Sequence, residues 1–434
     1  MYFYILMDIN DIYQHFLSCS GVTTDSRHIP ENSLFFALKG NHFNGNFFAE
    51  EAIRKGARYA IVDERKYAKD DRYILVENVL STLQELATWH RDKMNIKIIG
   101  ITGSNGKTTT KEIIYHVLKK NYKTIATEKN YNNHIGVPLT LLKINETHHF
   151  GVIEMGANHP GEIRWLCHIA KPNFGLITNI GKAHLEGFGS YEGVISTKKE
   201  IYDYICQNEG TIFYNADNPL LAKLLTDHPD CHKLSYGTTR NAYCHGKIIS
   251  ANPYLSIQIH GFPLIHTGLV GSYNFENLLA GICMGKYFHV EQQQVIESLE
   301  QYEPANNRSQ IMHKHGHEII LDAYNANPTS MKAAIENFHT LQRDCKALIL
   351  GDMFELGEHS DQEHKKIIEL VHALAFKHVF FVGQKFFLHA GNQHIAYQTT
   401  RDFLAWLKNN PLEPCTILIK GSRGMTLEKV VDYL

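Results

Sequence analysis

Short apolar runs, bounded by glycine, proline or polar clusters and separated by stretches with helical spacing, recur along most of this chain. Runs of about four to eight residues with β-branched and aromatic members predict buried strands, and their alternation with helices predicts parallel sheets. In the opening segment, to about Arg91, the runs Leu34–Leu38, Ala60–Val62 and Tyr73–Val76 accompany a helical stretch over Phe47–Lys55. A small α/β unit is expected there. From Lys97 onward, runs at Gly151–Met155, Phe174–Thr178 and Thr211–Tyr214 are separated by helical stretches, as a doubly wound parallel sheet requires. After Lys233 the helical spacing lapses, and alternation up to about Val270 predicts antiparallel strands appended to that sheet, followed by a helix over Asn274–Phe288. The last third alternates again, with strands at Ile319–Asp322, Ala347–Leu350, Val379–Val382 and Thr416–Ile419 and helices beginning near Pro328, Asp361 and Arg401. The expected architecture is therefore α/β in three domains, at 1–91, 92–302 and 303–434. The middle domain carries a parallel sheet with added antiparallel strands, and the last is a separate Rossmann-like unit.

Length agrees, since 434 residues suggest about three domains. Lys+Arg 43 against Asp+Glu 45 leaves the chain near neutrality, which points away from nucleic acid and anionic membranes as partners. The apolar start Met1–Met7 lacks a basic flank and a cleavage pattern and meets Asp8 at once, so it reads as a strand or helix lead-in. No stretch approaches the roughly 18 apolar residues of a membrane-spanning helix, so a soluble protein is expected; scattered cysteines suit the cytoplasm, and a monomer is expected. The eight cysteines are scattered, without a C-x-x-C pair, and are expected as reduced thiols.

Chemistry concentrates first at Gly103-Ser104-Asn105-Gly106-Lys107-Thr108-Thr109, between an apolar run and a helical stretch. Glycines let successive backbone N–H groups face one concavity, the helix start adds its positive end, Lys107 carries charge to phosphate oxygens and Thr108 offers a hydroxyl to Mg²⁺. The full phosphate-loop pattern fails at its first glycine, where Ile101 stands. A glycine turn with an incidental lysine is the competing explanation. Glu154 ends a buried run, where a carboxylate at the sheet's carboxyl edge holds Mg²⁺ in such enzymes, although a solvated strand-end glutamate would look the same. His184 follows the next run in a polar loop. Asn274 and Asn277 lie three apart at a helix start, able to read a base edge or merely to cap. Asp322–Pro328 and Gly351–Gly357 follow successive strands, and Lys420-Gly421-Ser422-Arg423 puts two cations on a loop that could receive a carboxylate.

Together with Asn132–Pro138, Glu154–Ala157, Thr178–Glu186, Tyr324–Pro328, Gly351–Gly357 and Lys420–Met425, the phosphate loop resembles the Mur ligases of peptidoglycan synthesis over nearly the whole chain. The last three motifs resemble the branch that joins D-alanyl-D-alanine to UDP-N-acetylmuramoyl-tripeptide. Thr24–Arg27, Phe36–Gly40 and Phe43–Gly45 are similar to the part of that branch that holds the UDP end of its substrate. Two positions depart from the pattern: Tyr273 stands where a histidine is common, and Ala323 where a second aspartate often precedes Tyr324. Asp217-Asn218-Pro219 is followed by Leu220, not by the arginine with which the related third-residue-adding ligase reads a diamino acid.

The resemblance implies ATP and two Mg²⁺ ions. Gly103 to Thr109 would hold the phosphates, with Asn274, Asn277, Arg308, Asp322 and Asn325 completing the nucleotide site. Thr108, Glu154, His184 and a carbamylated Lys198 would serve the metals, and Lys107, Glu154, His184 and Lys198 catalysis. Ser26, Arg27, Lys39, Asn44, Asn132, Asn133, Tyr324, Asn327, Ser422 and Arg423 would contact UDP-N-acetylmuramoyl-tripeptide or D-alanyl-D-alanine. Without the resemblance, Lys198-Lys199 reads as a solvated helix face. Rival readings are another amino-acid ligase of the superfamily, adding the third residue or glutamate to folate, and a phosphate-loop switch ATPase.

Overall fold

The computed structural model describes residues 7–304, 307–391 and 395–434. The expected lead-in at Met1–Met7 falls, but for Met7, outside the described residues. Asp8 caps the first helix, Ile9–Leu17, its carboxylate accepting the Asp11 N–H at 2.9 Å.

Three main sheets organise the chain. The first has four parallel strands in the order Val22–Thr23, Leu34–Phe36, Tyr59–Val62, Tyr73–Leu75. Because successive side chains point to opposite faces, Leu34, Phe36 and Ile61 pack on helices Ile9–Leu17 and Val79–Lys93, while Phe35, Ala60 and Val62 pack on Ala49–Arg54. Covering both faces explains why these runs are continuously apolar.

The middle sheet has nine strands, with Lys97–Thr102 third from one edge, between Phe174–Ile177 and Phe150–Glu154. Ile99 and Ile101 face helices Lys107–Leu118 and Phe275–Tyr287; Ile98 faces Glu162–Ala170 and Tyr191–Gln207. The chain leaves Lys97–Thr102 for the edge strand Thr124–Ala126, returns at Phe150–Glu154, then crosses to Phe174–Ile177 on the other side. That reversal opens a crevice at the carboxyl ends of these strands. The appended segment differs from expectation: His232–Gly237 runs parallel to Thr211–Asn215, and Cys244–Ala251 begins parallel to it. Only Tyr254–Ile259 and Leu264–Val270 are antiparallel additions. Helix Pro219–Leu224 makes one more crossover before the alternation begins, and a crossover returns the chain parallel.

That crossover also corrects the cysteine expectation. Cys206, at the end of helix Tyr191–Gln207, and Cys231, just before His232–Gly237, are joined as a disulfide with their Cα atoms 5.2 Å apart. A separation of 25 residues carries no local spacing signal; the pair meets because neighbouring strands bring the helix end and strand start together.

The last sheet has six strands: Gln310–Lys314 antiparallel to His317–Asp322, then Thr416–Lys420, Lys346–Gly351, His378–Val382 and Ile395–Tyr397, all parallel. Helix Pro328–Thr340 carries the chain past Thr416–Lys420, so this sheet too has its crevice at the ends of Asp322 and Lys420. Among the described residues, no helix is long and apolar enough to cross a membrane.

Candidate active site between the middle and last sheets

The two carboxyl edges face each other across a cavity of about 480 Å³. Residues 104–109 form one wall, with Asn132, Asn133, Glu154 and His184 beside them. Asn274 and Asn277, on the helix packed against the loop, complete that side, and Arg308, Asp322, Tyr324, Asn325 and Lys420 line it from the other.

Gly106 makes the turn into helix Lys107–Leu118 at φ +76°, and a Cβ there would lie 2.7 Å from Asn277 Oδ1. Glycine thus satisfies both the left-handed turn and the close approach of the second helix. No side chain caps this helix, which leaves its first N–H groups to a ligand. The Lys107 ammonium donates to the carbonyls of Gly103 at 2.8 Å and Ser104 at 3.3 Å, folded back over its own loop. Burial pushes Lys107 below its ordinary pKa range, with the Glu154 carboxylate acting the other way.

Glu154 is 2% exposed. It accepts from Thr108 Oγ1 at 2.8 Å and from Asn132 Nδ2 at 2.8 Å, while its own N–H donates to Thr127 Oγ1 at 2.9 Å. A carboxylate and a hydroxyl in contact beside a phosphate-binding loop form an oxygen donor set of the kind Mg²⁺ prefers. Lys198, on helix Tyr191–Gln207, is fully enclosed, its Nζ 5.5 Å from the Phe188 ring centre. Burial, reinforced by the Lys107 charge, holds it well below the usual lysine range, and no described residue gives its Nζ a hydrogen bond or ion pair. A neutral buried amine is the form that adds CO₂, so the residue fits a carbamate.

The amide pair is more self-contained than a base-reading pair would be. Asn277 Nδ2 donates to Asn274 Oδ1 at 2.8 Å, Asn277 Oδ1 accepts from Thr110 at 2.9 Å, and Asn274 Nδ2 donates to Val270 O at 2.8 Å. Tyr273 Oη pairs with Ser309 Oγ at 2.8 Å. Asn133 Oδ1 accepts the N–H groups of Ile135 and Gly136 at 3.1 and 2.9 Å, and Asn325 Oδ1 that of Ala326 at 2.9 Å.

The last sheet's edge is built around pairings that join motifs far apart in sequence. Buried Lys420 donates to Asp322 at 2.6 Å, so only Arg423 of the two loop cations remains exposed. The Arg308 guanidinium lies 3.8 Å from the Tyr324 ring centre and that of Arg423 5.2 Å from it. Ser422 Oγ accepts the Phe354 N–H at 2.9 Å.

Direct contacts hold the two edges together. Asn327 caps helix Pro328–Thr340 and donates to Asn105 Oδ1 at 2.7 Å. Lys182 pairs with Glu363 at 3.0 Å. His184 Nδ1 pairs with Glu355, whose carboxyl is held below the usual range by that contact. Glu355 escaped the sequence reading because its partner lies on another domain; only its place in a polar loop after a strand hinted at it. A metal-ligating histidine commonly has a carboxylate on its other nitrogen.

Among the expected residues, Gly103, Lys198, Asn327, Ser422 and Arg423 are not in the lining of this cavity, and Ser26, Arg27, Lys39 and Asn44 stand apart from it, the first two in the turn after Val22–Thr23 and the others on a separate two-stranded ribbon, Lys39–Gly40 with Phe43–Asn44. Arg27 is paired with Asp25 at 2.8 Å, and Lys55 donates to Ser26 O at 3.0 Å. Lys39 bridges Asp63 and Glu64 at 2.8 and 3.1 Å, and Asn44 donates to Glu64 at 2.6 Å.

Family models match residues 18–102 (Mur ligase family, catalytic domain), 101–285 (Mur ligase middle domain) and 307–423 (Mur ligase, glutamate ligase domain). The chain is similar to the UDP-N-acetylmuramoyl-tripeptide--D-alanyl-D-alanine ligase of Bacillus subtilis (strain 168), 35% identical over 428 residues, covering 95% of this chain and 93% of that protein. Among solved structures, MurF from Acinetobacter baumannii superposes with TM-score 0.87 at 28% identity, covering 99% of each chain. MurF ligase from Thermotoga maritima in complex with ADP superposes with TM-score 0.85 at 27% identity, covering 96% of this chain and 97% of that one. The chain belongs to the Mur ligase family.

Proposed function

We propose, with membership of the Mur ligase family as the premise, that this chain joins D-alanyl-D-alanine to the terminal carboxylate of UDP-N-acetylmuramoyl-tripeptide, using ATP, in peptidoglycan precursor synthesis. The observation that carries the reading is the single cavity that sets the phosphate loop, Thr108 and Glu154 against Asp322, Tyr324 and Lys420 of the last sheet.

A carboxylate resists attack by an amine because it is electron-rich and its leaving group would be oxide. Transfer of the γ-phosphoryl to it gives an acyl phosphate, and the free amine of D-alanyl-D-alanine then displaces phosphate through a tetrahedral intermediate. Positioning and charge neutralisation are what such a transfer needs from a protein. Lys107 and the loop N–H groups hold the transferring phosphoryl. Thr108, Glu154, His184 and carbamylated Lys198 are the residues that would hold Mg²⁺, which supplies neutralisation of phosphate oxygens when bound. Without the carbamate, an ammonium at Lys198 would repel those cations. Asn274, Asn277, Arg308, Asp322 and Asn325 hold the nucleotide, Ser26, Arg27, Lys39 and Asn44 the UDP end of the muropeptide, and Asn132 and Asn133 its peptide. Tyr324, Asn327, Ser422 and Arg423 take the dipeptide, with Arg423 on its carboxylate. This reading divides the chain at 1–91, 92–302 and 303–434, and places the work in the cytoplasm, where ATP is available. A monomer suffices, since every group named comes from one chain.

The test is product formation and phosphate release with ATP, Mg²⁺, D-alanyl-D-alanine and UDP-muropeptides carrying either lysine or meso-diaminopimelate, omitting one component at a time. Release should require the muropeptide; turnover in ATP alone, unstimulated by it, would support a switch ATPase.

A further inference from the structure

We infer that Phe354 is the wall that restricts the C-terminal residue of the incoming dipeptide to a small side chain. The inference rests on the proposed placement of that dipeptide's carboxylate at Arg423. Phe354 sits in a loop after strand Lys346–Gly351 whose backbone is fixed on both sides: the Met353 N–H donates to His364 Nε2 at 3.0 Å and the Phe354 N–H to Ser422 Oγ at 2.9 Å. The apolar neighbours Met353 and Leu356 are each 1% exposed, yet the Phe354 ring is 45% exposed. Leaving a large aromatic half in water on a held backbone forgoes part of its burial.

The ring's surroundings show what it faces. It lies against Gly424, where an added Cβ would come within 2.6 Å of Phe354 Cε2. The residue before that glycine is Arg423, whose Nη1 is 3.5 Å from Tyr324 Oη, and Tyr324 lines the cavity. The residue after Phe354 is Glu355, in contact with His184 across the cleft. One short loop therefore runs from the reaction side of the cavity to the Arg423 side. An extended dipeptide spans at most about 7 Å. Neither Phe354 nor Arg423 is among the residues lining the cavity, so Arg423 alone sets the pose: with the dipeptide's amine toward the cavity and its carboxylate on Arg423, the proposal puts its C-terminal Cα next to Gly424 and the ring packed on it. A methyl group there gains contact with the ring face; a branched or longer side chain meets it as an obstacle.

Selectivity is read from kcat/KM for D-alanyl-D-alanine against D-alanyl-D-valine and D-alanyl-D-leucine, in the wild type and in Phe354→Ala, Phe354→Leu and Phe354→Trp. The wild type should prefer D-alanyl-D-alanine by about tenfold or more, a typical value of excess methylenes in a shaped pocket. Phe354→Ala should shrink that preference at least about fivefold with the KM for ATP unchanged, Phe354→Leu should fall between, and Phe354→Trp should sharpen it. Identical preferences in wild type and Phe354→Ala overturn the inference. Arg423→Ala separates this failure from that of the underlying reading. If it raises the KM for all three dipeptides alike while Phe354→Ala changes nothing, the dipeptide site stands and the wall alone fails. If Arg423→Ala leaves those KM values unaltered, the placement of the carboxylate fails and the wall with it.

Discussion

The crevice of the middle sheet and the edge of the first sheet both present cations, but in opposite solvents. Lys198 is taken out of water and Lys107 is half-buried at the cavity wall, and burial pushes both below their ordinary range. Arg27 and Lys39 stay in water, with side chains 89% and 42% exposed, and each is already neutralised by acids of its own domain. A charge in a low-dielectric cleft acts strongly on whatever charge develops beside it, whereas an exposed pair is screened and contributes little. The first arrangement suits chemistry on a phosphoryl group. The second suits reversible capture of a substrate's anionic end, in which a diphosphate exchanges with Asp63 and Glu64 for a cation that is never fully desolvated.

The largest expected effect tests the buried side of this contrast. Lys107→Ala should lower kcat by about 10²–10³-fold, on the order of 3 kcal/mol of transition-state stabilisation, as removal of one preorganised donor does elsewhere. Steady-state phosphate release with saturating substrates measures it. Near-normal turnover would show that the phosphate loop does not carry the reaction.

Lys198→Ala should come next, folding normally and binding ATP but losing most ligation. A ¹³C carbamate signal, present in wild type equilibrated with ¹³CO₂ and absent in the variant, reads the modification independently of activity. Lys199, about 100° further round the helix, is paired with Asp203 at 2.6 Å, and Lys199→Ala should ligate normally. Loss of activity in Lys199→Ala with activity kept in Lys198→Ala would move the modified position by one residue.

These two lysines also mark how far sequence carries. Lys107 and Thr108 are legible because a phosphate loop is local: turn, helix start and charge lie within a few residues. Glu154 is legible by its place at the end of an apolar run. Lys198 is not, since without family resemblance it reads as solvated; its burial depends on Phe188 and on helices packed from elsewhere. Glu355 and the Lys420–Asp322 pair stayed hidden for the same reason, their partners being 171 and 98 residues away in the numbering. The parallel direction of His232–Gly237 was masked because helix Pro219–Leu224 is only six residues long, too short for periodicity to register a crossover. The runs read as strands were plain because they are buried on both faces, a property of the run itself, whereas the part-exposed Thr124–Ala126, Gln310–Lys314 and Ile395–Tyr397 went unread.

A smaller effect tests the exposed side. Arg27→Ala and Lys39→Ala should each raise the KM for the UDP-muropeptide by about a few-fold and leave the KM for ATP unchanged. Initial rates with each substrate varied in turn decide it. Equal damage to both KM values would mean that the first sheet's edge is coupled to the nucleotide cleft and that the contrast between the two regions is false.

The smallest effect is a titration rather than a loss of activity. Hydrogen bonds from Lys66, then Asn44, then Lys39 hold the Glu64 carboxyl down at about 2. Its ordinary value is about 4.3. Since the folded value is the lower one, the pairing's contribution is complete above the ordinary value and is lost as pH falls through about 2. Carboxyl-detected NMR should therefore find Glu64 ionised at pH 4, where an unpaired glutamate is half protonated or more. Lys66→Ala should raise the midpoint most and Lys39→Ala less, following the order of the contacts. Saturating UDP-muropeptide should also raise it, because a diphosphate that takes Lys39 removes one of Glu64's partners. ATP should leave it unmoved, since Lys39 and Glu64 do not line the cavity between the other two sheets. A Glu64 midpoint that responds to ATP and ignores the muropeptide would reverse the assignment of the two regions.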